Sequence, residues 1–193
     1  MNYKSTWLYR NTANIITSLR IPISLTILFC GKDVWLVLFL ALCAALTDFL
    51  DGKIAASMGI KSKFGGELDC IVDKFFFGAL FFVLMNLPLP IWLKVMISAT
   101  AIIEFGLLYY WILGISQGMD ASTTKINGRR YGPGQYKMFA ICVAVMLCLA
   151  KLLCGIQIDV LDCAMWAISI ACATWSLLAR RAGYLKVTNV PNA

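Results

Sequence analysis

Four aspartates, Asp48, Asp51, Asp69 and Asp73, carry the most chemistry in this sequence. The first two stand three residues apart and the last two four apart, so on helices each pair shares a face. Both pairs border long apolar runs, where an ionised carboxylate is costly unless something compensates it. Four like charges drawn together from two neighbouring helices cannot all stay ionised without cations among them. A divalent metal meets that need. The chain has no histidine and no Cys-x-x-Cys, so an all-oxygen donor set favours Mg²⁺ or Mn²⁺ over zinc.

Glycines interleave with the acids. Gly52 follows Asp51 directly, and Gly65 and Gly66 precede Asp69. Such residues let a nucleotide or its phosphates approach the backbone closely, although Gly52 and Ala55 also read as small-residue helix packing. The ordered set is Asp48, Asp51, Gly52 and Ala55, then eight residues from Ser57 to Phe64, then Gly65, Asp69 and Asp73. It resembles the signature of the CDP-alcohol phosphatidyltransferases, D-x-x-D-G-x-x-A-R followed by G-x-x-x-D-x-x-x-D. Seven of the eight signature positions match; the eighth, an arginine in the family, is Ala56, with Lys53, Lys61 and Lys63 as the nearby basic residues.

The resemblance implies a membrane enzyme in which Asp48, Asp51 and Asp69 hold one or two Mg²⁺ or Mn²⁺ ions on the diphosphate of a CDP-linked lipid. Asp73 would join them as a metal ligand and serve as general base. The base takes the acceptor hydroxyl's proton, the oxygen attacks the lipid-side phosphorus, and CMP leaves. Metals suit this chemistry because they neutralise developing charge and orient the donor. Gly52, Ala55 and Gly65 would line the CDP-lipid pocket with Asp48 and Asp69. The family also implies a homodimer packed through membrane helices.

Within the family, the stretch Asn14 to Pro22 (NIITSLRIP) and the run Leu68 to Lys74 look most like the phosphatidylglycerophosphate synthases and their cardiolipin-synthase relatives. Those enzymes take glycerol 3-phosphate or phosphatidylglycerol as acceptor. A phosphorylated acceptor needs cations, and Lys125, Arg129, Arg130 and Lys137 cluster together. The same charge also fits topological bias alone. Gly128, Arg129 and Gln135 partly match the Gly-Lys…Gln run of that branch. Glu104 matches half of an Arg-Glu pair whose arginine is here Ile103. Well inside an apolar span, Glu104 is read either as the buried partner of a cation such as Arg20 or as an acceptor-site group.

The elements that must position these residues are membrane helices. Of 193 residues, 61% are hydrophobic and 14% charged, too much apolar side chain for a water-soluble domain of this size. Spanning the hydrocarbon needs roughly 20 apolar residues, and suitable stretches fall near 14–31, 34–57, 67–87, 89–113, 134–154 and 157–179. The expected fold is therefore all-α: a single polytopic domain over 1–193 with six transmembrane helices. A short interfacial helix over 1–13, carrying Trp7, Leu8 and Tyr9 among Lys4 and Arg10, precedes them, and a cytoplasmic tail over 180–193 follows. No signal-peptide pattern opens the chain, so its N-terminus is taken as mature. The eight cysteines lie in or beside apolar runs and are expected to pack as small hydrophobes.

With the N-terminus inside, fourteen of the 17 Lys and Arg fall on one side, leaving only Lys32, Lys94 and Lys151 on the other. Positive residues are retained on the cytoplasmic side, so both termini and the aspartate cluster are expected there. The net charge of +7 then reads as topology and attraction to anionic headgroups, not as nucleic-acid binding. A small cation-coupled transporter is the competing class. It calls for acids at mid-membrane and internal repeat symmetry, whereas these acids gather at one side and no repeat is visible. A third reading, a family member without catalysis, is prompted by Ala56 and Ile103 and opposed by the four aspartates.

Overall fold

The computed structural model describes the backbone of residues 7–58, 63–116, 133–155 and 158–188, and within them the side chains of 12, 14–48, 50, 64–115, 137–155 and 158–182. All regular structure among the described residues is helical: α1 (Trp7–Ser18), α2 (Arg20–Phe29), α3 (Val34–Met58), α4 (Lys63–Asn86), α5 (Ile91–Ser116), α6 (Pro133–Cys154) and α7 (Asp159–Thr188).

Local chemistry sets the boundaries. Pro22 has no N–H to give the Ser18 carbonyl, and its ring crowds that oxygen, so the helix is interrupted at Leu19. The interruption is a bend, because the Leu19 N–H still donates to Ile15 at 3.2 Å and to Ile16 at 3.1 Å. Arg20 becomes the first residue of α2, and the apolar stretch runs across the bend from Asn14 to Phe29. Asp33 caps α3, its Oδ1 accepting the Leu36 N–H at 3.1 Å, as N-cap carboxylates do. Pro88 and Pro90 separate α4 from α5, since residues before proline avoid helical geometry. Gly155, at φ 63°, ends α6 by donating its N–H to Lys151 at 3.0 Å, the left-handed termination that glycine permits. α7 runs to Thr188, through Arg180 and Arg181, so the segment expected as a tail from residue 180 begins inside a helix.

The chain divides into two compact units, Met1–Leu87 and Pro88–Ala193. In the first, α2 lies on α4, and α1 lies on α3 and α4. Its core collects Ile27, Val37, Ala41, Ala44, Val72, Phe76, Leu80 and Val83; Val72, Phe76, Leu80 and Val83 recur at helical spacing along one face of α4. In the second, α7 packs on both α5 and α6 over Leu93, Ile97, Leu107, Ala140, Ala144, Leu149, Trp166 and Ala173. Buried alanines let helices approach closely, as required where lipid removes the hydrophobic drive between them.

The opposite faces are apolar too. Phe75 and Phe82 on α4, Val95, Ile102 and Phe105 on α5, and Ile168 and Trp175 on α7 are exposed. Helices apolar all round belong in lipid. Among the described residues three are long and apolar enough to cross a membrane, over Ile91–Ile115, Lys137–Cys154 and Asp159–Ala182, and Asn14–Phe29 and Val34–Asp48 are shorter apolar helices. α4 opens with Glu67, Asp69, Asp73 and Lys74, so only its later part is uninterrupted hydrocarbon. The protein is an all-α polytopic membrane protein.

Candidate active site

Three carboxylates and one guanidinium meet inside the first unit. Asp48 comes from α3, Asp69 and Asp73 from one face of α4, and Arg20 from the start of α2. Nη1 of Arg20 stands 3.1 Å from Asp48 Oδ1 and also bonds Asp73 Oδ1, while Nη2 donates to Asp69 Oδ1 at 2.9 Å. A guanidinium suits this place because its planar fork can bond several carboxylates at once. The Arg20 side chain is 2% exposed and that of Asp73 19%, against 44% for Asp48 and 43% for Asp69. Two carboxylates thus remain open to the outside while the third lies deeper, beside a fully buried cation.

The structure brings together three of the four aspartates expected at the site, Asp48, Asp69 and Asp73, and adds Arg20, which the sequence offers only as one possible partner of Glu104. Its signal was present, since a lone arginine in an apolar helix must find an acid; which acid depends on helix packing. Glu104 meets Lys137 instead, Nζ to Oε1 at 2.6 Å, with both side chains buried. This pair lies within the second unit and ties α5 to α6. It gives a buried charge in hydrocarbon the partner it needs.

One oxygen from each of Asp48, Asp69 and Asp73 lies within 4.8 Å of the others. Small inward adjustments would let such a set close on one ion, and all-carboxylate donors suit Mg²⁺ or Mn²⁺. Gly65 lies on α4 one turn before Asp69 and is half-buried. The side chains of Asp51 and Ala55, with Gly52, lie outside the described residues, as do those of Lys53, Lys61, Lys63, Lys125, Arg129 and Arg130.

The match to known proteins decides what this arrangement belongs to. A family model described as CDP-alcohol phosphatidyltransferase matches residues 10–176. The chain belongs to that family. All three clustered aspartates and Arg20 fall within the matched residues. Among the relatives of this chain are the probable phosphatidylglycerophosphate synthases of two Mycobacterium tuberculosis strains, CDC 1551/Oshkosh and ATCC 25618/H37Rv. Each is 36% identical over 148 residues, covering 71% of this chain and 65% of the relative. The chain thus spans just under two thirds of the length of these relatives. No solved structure matches it significantly.

Proposed function

We propose that this protein works in phospholipid biosynthesis, transferring a phosphatidyl group from CDP-diacylglycerol to an alcohol, glycerol 3-phosphate first among candidates, with release of CMP. The observation that carries the proposal is the convergence of Asp48, Asp69 and Asp73 from two helices at signature positions of the family. Two relatives called probable phosphatidylglycerophosphate synthases support the choice of acceptor.

In this reading Asp48, Asp51, Asp69 and Asp73 hold Mg²⁺ or Mn²⁺, which when bound neutralises charge on the donor diphosphate. Asp48 and Asp69, the more open carboxylates, face the arriving donor, and Gly52, Ala55 and Gly65 border the cytidine. Asp73, the most buried of the three described, takes the proton from the acceptor hydroxyl. The acceptor oxygen then bonds to the lipid-side phosphorus as the bond from that phosphorus to the bridging oxygen breaks, and CMP carries the electron pair away. Lys125, Arg129 and Arg130 are the cations assigned to the acceptor phosphate. Lys137 and Glu104 remain candidates there, although each now has the other as partner and a phosphate would compete with Glu104 for the ammonium.

The site and both termini are assigned to the cytoplasmic side of the cell membrane, where a half-lipid donor and a water-soluble acceptor can meet. The whole chain is taken as one catalytic domain acting as a homodimer. The test is product identification. Purified protein in detergent receives CDP-diacylglycerol, Mn²⁺ and, in separate reactions, glycerol 3-phosphate, phosphatidylglycerol, inositol phosphate or no acceptor. Phosphatidylglycerophosphate from glycerol 3-phosphate alone is the expected product. Turnover only with another acceptor would retain the chemistry and replace the substrate.

A further inference from the structure

Arg20 has no part in the mechanism above, yet it occupies the centre of the site. Resting on the metal-dependent reading just given, we propose that Arg20 is the resident counter-ion of the aspartate cluster. It competes with the divalent cation for the same carboxylates, so that metal loading frees its guanidinium for the phosphates of the substrate.

Metal and guanidinium need the same space. A Mg²⁺ ion must lie about 2.0–2.1 Å from each ligand oxygen, which puts it among the carboxylates of Asp48, Asp69 and Asp73. Nη1 of Arg20 already bonds two of those carboxylates and Nη2 the third, so the guanidinium fills the same space and engages the same lone pairs. Charge points the same way. Among the described residues three carboxylates meet one guanidinium here, a negative excess that draws in a divalent cation. Two positive groups a few ångströms apart in a poorly screened site then repel.

Burial explains why the arginine is there at all. With 2% of its side chain exposed, Arg20 holds together a cluster that would otherwise be mutually repelling carboxylates from two helices. Once displaced, its planar fork matches phosphate oxygens, and its attachment at the first residue of α2 keeps it beside the site. The family's signature arginine is replaced here by Ala56, so a cation delivered from α2 would meet a need the signature leaves open.

The test measures Mn²⁺ binding, without donor or acceptor, to the purified full chain in detergent, by calorimetry or by the electron paramagnetic resonance of free Mn²⁺. R20Q is expected to bind Mn²⁺ at least about tenfold tighter than wild type, because a repelling charge is gone. It should melt lower than wild type without metal and regain the difference when Mn²⁺ is added. Should R20Q not fold, R20K replaces it. Its single ammonium cannot span three carboxylates, so tighter Mn²⁺ binding than wild type is again expected. Equal or weaker binding in whichever variant folds overturns the proposal. D69N separates this from the reading beneath it. Loss of Mn²⁺ binding in D69N with no gain in the Arg20 variant rejects the competition alone, whereas unchanged binding in D69N rejects the metal site itself and the competition with it.

Discussion

Nη2 of Arg20 donates to Oδ1 of Asp69 at 2.9 Å, across 49 residues of sequence. It pins the start of α2 to the start of α4, and with Asp48 and Asp73 it makes a charged cluster within the first unit. The consequences below follow from this cluster, from the second buried ion pair and from how the helices end.

Metal removal should silence the protein without unfolding it. Arg20 can compensate the carboxylates in the absence of metal, so the fold does not depend on the ion. Chelation with EDTA is expected to lower CMP release by a factor on the order of 1000, with helical circular dichroism unchanged and activity restored by Mn²⁺. Loss of helical signal on chelation would show that the ion is structural.

Glu104 and Lys137 should behave as a unit. Removing one member leaves a buried charge alone, which costs about 3–5 kcal/mol, whereas replacing both by apolar residues is often neutral. K137M and E104L are each expected to lower the melting midpoint in detergent markedly, and E104L/K137M to return close to wild type. A double variant as unstable as the sum of the singles would show that the two side chains act independently.

What the sequence made legible divides along physical lines. The meeting of Asp48, Asp69 and Asp73 is legible because spacing of four puts Asp69 and Asp73 on one helical face and because the glycines beside the aspartates lie at family spacing. The spans could be read because hydrocarbon thickness sets a minimum apolar length. The partner of Arg20 could not. An isolated arginine and an isolated glutamate in apolar spans look made for each other, yet packing of α2 against α4 gives Arg20 three acids and leaves Glu104 to Lys137. The bend at Leu19 was missed because hydropathy does not register the hydrogen bond that Pro22 cannot make.

Gly31 marks a close approach between the turn after α2 and α4. A Cβ there would lie 2.6 Å from Val83 Cγ2 and 3.1 Å from the Ile27 carbonyl oxygen, and valine is stiff about χ1. G31A is expected to destabilise by about 1–3 kcal/mol, read as a lowered melting midpoint, and adding V83A should recover part of the loss by opening the space. An unaffected G31A would mean the turn can move away freely.

Sidedness can be read from native thiols. Cys30 and Cys154 are exposed at the ends of α2 and α6, and the proposed orientation puts both on the non-cytoplasmic face. A membrane-impermeant maleimide applied to intact cells should label both. Labelling only after the membrane is opened would reverse the orientation and move the aspartate site to the other face.

Phosphatidyl transfer at the aspartate cluster is tested by comparing CMP release from wild type and Asp73→Asn in detergent with CDP-diacylglycerol, glycerol 3-phosphate and Mn²⁺. Wild type should release CMP in step with lipid product. Asp73→Asn should melt like wild type and release CMP slower by a factor on the order of 100 to 10,000, the range for loss of a general base. A folded Asp73→Asn protein turning over at the wild-type rate would contradict the account.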